Sequence, residues 1–179
     1  GTITINGSTA FQPLLMLLAK DYTAQCHNKG VEVQINVLGS DSGMGLTLVE
    51  GGKIDIGSSD LLIDELFAHS AMTDLVDNQV AGVIFVVIVN DKNGIFNLDT
   101  NKLKKIYTDP NTNNWSQVGG SNQTLVVYSR PADSGTRVTF DRYILGAPEG
   151  ITQPPISDTQ TMVNDVETTW GAIGYASLY

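Results

Sequence analysis

Cysteine occurs once in the 179 residues, at Cys26. A single thiol excludes an intrachain disulfide and a thiolate metal cluster. Histidine occurs twice, as His27 and His69, and neither sits in a turn that follows a strand. A His-based metal site is therefore not expected, and no general base stands ready to activate a serine such as Ser42 or Ser134. Lys and Arg number 10 against 19 Asp and Glu, a formal net charge of -9. Bulk electrostatics of that sign do not attract nucleic acid or acidic membranes. The longest apolar run, 80–89, is far too short to cross a bilayer as a helix. The chain also lacks Gly-x-x-x-x-Gly-Lys-Ser/Thr, so its glycine-rich turn at 39–45 is not a nucleotide P-loop.

What is present suits a globular α/β protein. Hydrophobic residues make up 41% of the chain, enough for a sizeable core, while charged residues make up only 16%. Thr2 to Asn6 alternates and ends at Gly7, which predicts a strand. Phe11, Leu14, Leu15, Leu18 and Tyr22 then recur at helical spacing, with Pro13 tolerated in the first turn. Cys26 continues that spacing and is expected to be a buried core thiol. Glu32–Leu38 predicts a second strand, the Gly39–Gly45 turn leads into a short helix ending at Glu50, and Ile54–Gly57 predicts a third strand. Strand, helix, strand, helix, strand implies a parallel sheet covered by helices.

Val80–Asn90 reads as a long β-branched strand. Beyond it the pattern predicts a helix over Thr100–Tyr107 capped by Asp99, a strand over Leu125–Tyr128 and a helix starting near Ser134. That last helix is expected to place Thr136, Phe140, Tyr143 and Ile144 on one face. A polar helix over Asp158–Thr168 and a strand over Ala172–Ser177 follow.

Three segments share one design, a short polar or glycine turn feeding a helix N-terminus: Gly7-Ser8-Thr9-Ala10, Asp41-Ser42-Gly43 and Asp133-Ser134-Gly135-Thr136. In open α/β sheets such turns lie at the carboxyl ends of strands, where ligands bind. Unpaired N–H groups and the positive end of the helix dipole suit an anion there, and hydroxyls add donors. Each segment taken alone also reads as an ordinary helix cap. Arg130 ends the strand just before the third segment, where it either contacts an oxyanion or pairs with Asp133 or Asp141. Asp60 ends Gly57-Ser58-Ser59-Asp60. It either caps a helix over 61–67 or accepts a proton from a protonated oxyanion, which would exclude a fully ionised one such as sulfate.

Across nearly the whole chain the residues resemble the phosphate-binding proteins of ABC phosphate importers. The resemblance rests on Gly7-Ser8-Thr9, the Gly39–Gly45 turn, Val49-Glu50-Gly51 through Ile54-Asp55-Ile56-Gly57-Ser58-Ser59, and Asn114-Trp115-Ser116-Gln117-Val118-Gly119-Gly120. It continues through Ser129-Arg130, Ser134-Gly135-Thr136-Arg137 and Gly171-Ala172-Ile173-Gly174-Tyr175. It implies an α/β, type II periplasmic-binding-protein fold. Two lobes would be joined by a hinge: lobe I over 1–84, lobe II over 85–172, and a return crossover beginning at 173–179. Relatives continue past this point, so the family's C-terminal tail is expected to be lacking.

Residue by residue, the resemblance implies a ligand set of Thr9, the backbone of Ala10, Ser42, Asp60, Arg130, Ser134, Gly135 and Thr136, with Ser8 beside them. Many relatives carry a hydroxyl residue where this chain has Ala10. The implied activity is capture of inorganic phosphate by lobe closure and delivery to an ABC permease in the membrane, with no catalysis, cofactor, metal or nucleic acid. The implied setting is extracytoplasmic, periplasmic or at the cell surface, as a monomer, with the signal or anchor segment absent from this chain. A secreted sensor, scaffold or adhesin that keeps the fold without transport is the alternative, and a serine hydrolase a lesser one.

Overall fold

The computed structural model of the chain describes residues 1–67, 74–151 and 153–178. His69 lies outside the described residues. The chain divides into two compact units.

Unit 1 comprises Gly1–Ile84 together with Asp133–Gly135. Its elements are β1 (Thr2–Ser8), α1 (Gln12–Asn28), β2 (Gln34–Ser40), α2 (Ser42–Glu50), β3 (Ile56–Ser58) and the single turn α3 (Ile63–Leu66). The strands form a parallel sheet in the order β2-β1-β3. β1 pairs with β2 from Thr2↔Gln34 to Ser8↔Ser40 and with β3 from Ile5↔Ile56 to Gly7↔Ser58. This register ends all three strands at one sheet edge, so the segments that follow Ser8, Ser40 and Ser58 leave from the same place. Close packing there depends on Gly7, at φ 143°, where a Cβ would come within 2.0 Å of the Ser58 carbonyl oxygen.

Helix α1 packs mainly on β2, and none of its residues is buried. The residues it turns inward are Leu15, Ala19, Thr23 and Cys26, which are half-buried, while Leu14, Leu18 and Tyr22 of the expected face are exposed. A helix resting on one edge strand covers a narrower stripe than its apolar spacing suggests. For the same reason Cys26 is not the buried core thiol expected from its spacing.

Unit 2 comprises Phe85–Ala132 and Thr136–Leu178. It holds β4 (Ile84–Val89), α4 (Thr100–Thr108), β5 (Val126–Val127), α5 (Gly135–Thr139), α6 (Thr159–Thr168) and β6 (Ala172–Leu178), with sheet order β4-β6-β5. The long run at 80–90 is a strand only from Ile84. Helix α4 is capped by Asp99, whose Oδ1 accepts from Lys102 N–H at 2.9 Å, and α6 by Asp158, whose Oδ1 accepts from Thr161 N–H at 2.9 Å. Each such cap is worth about 1 kcal/mol.

The core of unit 2 is aromatic. Phe140 stacks on Tyr175 at 4.4 Å and meets Tyr107 edge-on at 4.9 Å. Such pairs add about 0.5–1.5 kcal/mol each beyond the area they bury. After α5 the chain continues as a π-helical turn, Phe140–Leu145, closed by Gly146 in the left-handed region. The wider turn places Leu145, not Ile144, beneath Phe140. Phe140 and Leu145 are buried while Tyr143 and Ile144 are exposed, so the single face expected for this helix is divided. Trp115 is fully buried and donates its indole N–H to the Gly171 carbonyl at 2.8 Å, pinning the turn that starts β6.

Candidate functional site

Seven of the nine ligand residues named from sequence fall in unit 1, and Arg130 and Thr136 fall in unit 2. In unit 1 the shared sheet edge sets the arrangement. Ser8, the last residue of β1, donates its hydroxyl to Asp60 Oδ1 at 2.5 Å and accepts from the N–H groups of Ala10 and Phe11, both at 3.1 Å. One serine thus closes the turn into α1 and anchors the carboxylate that leaves β3. Thr9, half-buried, and Ala10, buried, occupy that turn. Ser42, at the first position of α2, accepts from the Asp60 N–H at 3.2 Å. With that bond made, its hydroxyl proton is directed to another acceptor.

The 133–135 segment joins this cluster. The Asp133 carbonyl accepts from Gly43 N–H at 3.1 Å. Gly135 sits so close that a Cβ on it would lie 2.5 Å from Ser42 Oγ, 3.0 Å from Asp60 Cβ and 3.1 Å from Asp60 Oδ2. Only glycine allows that approach. Ser134, beside it, is buried. The structure therefore brings Ser8, Ala10, Ser42, Asp60 and Gly135 into one group of hydroxyls and backbone amides around a carboxylate. The N-cap position of α3 is Leu62, not Asp60, and the Leu62 and Ile63 N–H groups donate to Glu65 and Asp77. A carboxylate amid donors suits a polar ligand that brings a proton of its own.

In unit 2, Arg130 is buried, not a surface residue paired with Asp141. Its guanidinium donates to Thr159 Oγ1 at 3.3 Å and to the Ser157 carbonyl at 3.0 Å. Its backbone N–H donates to the Tyr175 hydroxyl at 3.1 Å, and its carbonyl accepts from Arg137 Nη1 at 2.9 Å. Thr136 is buried at the start of α5. Burial pushes the Asp158 carboxyl up, but hydrogen bonds from Thr161 and Ser157 and the Arg130 charge outweigh it and hold the group below its ordinary value.

Sequence reasoning missed Glu149. Its Oε1 accepts from Ser129 Oγ at 2.7 Å, Tyr175 Oη at 2.8 Å and Arg137 Nε at 2.9 Å. Its Oε2 is buried with no partner among the described residues. Burial raises the Glu149 carboxyl above its ordinary value despite these three donors. Asp141, on the other side of Arg137 at 3.7 Å, is raised as well, burial outweighing the arginine. Among the described residues no group of His, Cys, Asp and Glu is arranged to hold a metal ion, and no helix is long and apolar enough to cross a membrane.

The chain matches the PBP superfamily domain over residues 1–179. It belongs to the PBP superfamily. Among its PBP relatives, the phosphate-binding protein PstS of Bacillus subtilis is 37% identical over 178 residues, which cover 98% of this chain and 56% of that protein. PstS 2 of Streptococcus agalactiae is 28% identical over 118 residues, 66% of this chain and 38% of that protein. The match thus spans 56% of the length of one of these curated relatives and 38% of the other.

A phosphate ABC transporter substrate-binding protein assigned in Clostridium perfringens, solved with bound phosphate, superposes with a TM-score of 0.87 at 25% identity, covering 99% of this chain and 71% of that one. An ABC-type phosphate transport receptor from Vibrio cholerae superposes with a TM-score of 0.69 at 28% identity, covering 99% and 72%. The PBP-like α/β fold implied by the motifs is therefore the fold observed.

Proposed function

We propose that this chain binds inorganic phosphate for delivery to an ABC importer and does not transform it. The observation that carries this reading is the Ser8–Asp60–Ser42–Gly135 group. The Asp60 carboxylate, held in place by one serine while the residue's backbone N–H is tied to a second, is a poor partner for a fully ionised oxyanion. It is a good acceptor for one that keeps a P–OH, and the Ser42 hydroxyl, which accepts from Asp60 N–H and so keeps its proton to donate, serves another oxygen. Thr9, Ala10, Ser134 and Thr136 are further ligand residues in this proposal, and Arg130 supplies the cation that a chain of net charge -9 must place locally.

The relatives named above are phosphate-binding proteins and transport receptors, which supports a binding role over a hydrolytic one. Among the described residues, Ser42 and Ser134 have no histidine in the same cluster. In this reading the protein works outside the cytoplasm as a monomer, and its partner is the membrane permease of the importer. Incubation with labelled phosphate and with a generic phosphoester tests the assignment. Retention of phosphate with no ester hydrolysis is the expected result; turnover of the ester would replace the receptor with a hydrolase.

A further inference from the structure

We infer that Glu149 is a positioning residue for Arg130, acting through Tyr175, Arg137 and Ser129. The inference rests on the phosphate reading only in taking Arg130 as an anion ligand. Its geometric basis is separate, and all of it lies within unit 2.

An arginine that must meet an oxyanion needs a fixed backbone, because a displacement at Cα is passed to the guanidinium. Arg130 has few regular-structure bonds to supply that, since β5 ends at Val127. Both of its backbone polar atoms are held by side chains instead. The Tyr175 hydroxyl accepts from Arg130 N–H at 3.1 Å, and Arg137 Nη1 donates to Arg130 C=O at 2.9 Å. Ser129 Oγ also lies 3.1 Å from that carbonyl. The groups that hold Arg130 meet on one atom, Glu149 Oε1, at 2.7 Å from Ser129, 2.8 Å from Tyr175 and 2.9 Å from Arg137.

The directions are consistent. Tyr175 spends its one proton on Glu149 and so offers a lone pair to Arg130 N–H. Arg137 divides its fork, Nε to Glu149 and Nη1 to the Arg130 carbonyl. Without the carboxylate, the phenol is free to rotate and the guanidinium to turn toward Asp141, already 3.7 Å away. Burial of the Glu149 side chain at 0% exposure is costly to the fold. Such a group is hard to explain as ornament on a loop, and the arrangement gives it a task.

The test has two arms. In the ligand-free protein, amide hydrogen exchange at Arg130 is followed by NMR, with Tyr128 N–H, bonded to the Ile173 carbonyl, as internal control. Tyr175→Phe keeps the stacked ring and removes the hydroxyl; Glu149→Gln keeps the shape and removes the charge. Both are expected to accelerate exchange at Arg130 by about tenfold or more with the control unchanged, the loss of one local hydrogen bond being enough for that. In calorimetric titration both variants should bind phosphate about tenfold more weakly, and neither should weaken it further in an Arg130→Ala background, because the paired effects are coupled.

A merely structural role would move control and Arg130 together and add to Arg130→Ala. That result, or unchanged exchange at Arg130 in both variants, overturns the inference. If the unaltered protein takes up no phosphate, the functional reading fails, while the exchange arm still decides whether Glu149 positions Arg130.

Discussion

Gly135→Ala is the smallest change that the cluster in unit 1 should not tolerate. The added methyl would lie 2.5 Å from Ser42 Oγ and about as close as any carbon can be to Asp60, at 3.0 Å from its Cβ. Relief requires Ser42 to leave its rotamer or the 133–135 segment to back away. The first breaks the 3.2 Å bond from Asp60 N–H, and the second strains the 3.1 Å bond from Gly43 N–H to Asp133. Overpacking of this kind costs about 1–3 kcal/mol. Because the displaced groups are proposed ligands, the larger share should appear in binding. We expect phosphate affinity to fall roughly 10- to 100-fold, which is about 1.4–2.8 kcal/mol. Calorimetric titration measures that loss, and a thermal melt of the same sample shows whether folding is intact. Affinity within about twofold of the unaltered protein would refute the claim that Gly135, Ser42 and Asp60 serve one ligand.

Further outcomes follow from the same structure. Arg130→Ala should weaken phosphate binding by about 1.5–3 kcal/mol, the worth of a charge-assisted contact, in the same titration. Asp60→Asn should relax the discrimination against sulfate, read as the ratio of the two dissociation constants; an unchanged ratio would remove Asp60 as proton acceptor. Trp115→Phe should lower stability by about 1 kcal/mol in denaturant unfolding, because Gly171 C=O keeps its bond from Val126 N–H and is not left unsatisfied. Glu149 and Asp141 are both raised by burial, so the native state keeps their protons where the unfolded chain has released them. Their contribution is full below the ordinary carboxylate range and is lost as pH rises through their raised values, so the melting temperature should fall over that interval. Glu149→Gln should flatten that fall, which melts across pH would show.

Much of the scaffold was legible from local pattern. The order of strands and helices in residues 1–58 follows from alternation, helical spacing and glycine turns, and Asp99 and Asp158 cap the helices that follow them. Ser42 and Asp60 could be named because each lies in a turn after a strand, and Ser8 through the family resemblance; the parallel register then brings the ends of these strands to one side of the sheet. Pattern failed where the answer depended on what an element packs against. Leu14, Leu18 and Tyr22 have the spacing of a buried face, yet α1 packs mainly on the edge strand β2 and leaves them exposed. Tyr143 and Ile144 missed the core because the helix widens into a π turn after Thr139.

Glu149 was illegible for another reason. It lies in Gly146-Ala147-Pro148-Glu149-Gly150, which reads as a surface turn. Its partners come from three distant segments, so only tertiary structure reveals the cluster. The one signal in the sequence was Tyr175, an aromatic with a polar end inside a glycine-rich strand motif.

The central claim is that this chain holds phosphate through a carboxylate that accepts the ligand's proton. Calorimetric titration with phosphate and, separately, sulfate, after carried-over ligand is removed by partial unfolding and dialysis, tests it most directly. The account predicts saturable binding of phosphate and none of sulfate. A folded sample that binds neither, or that binds both equally, would contradict it.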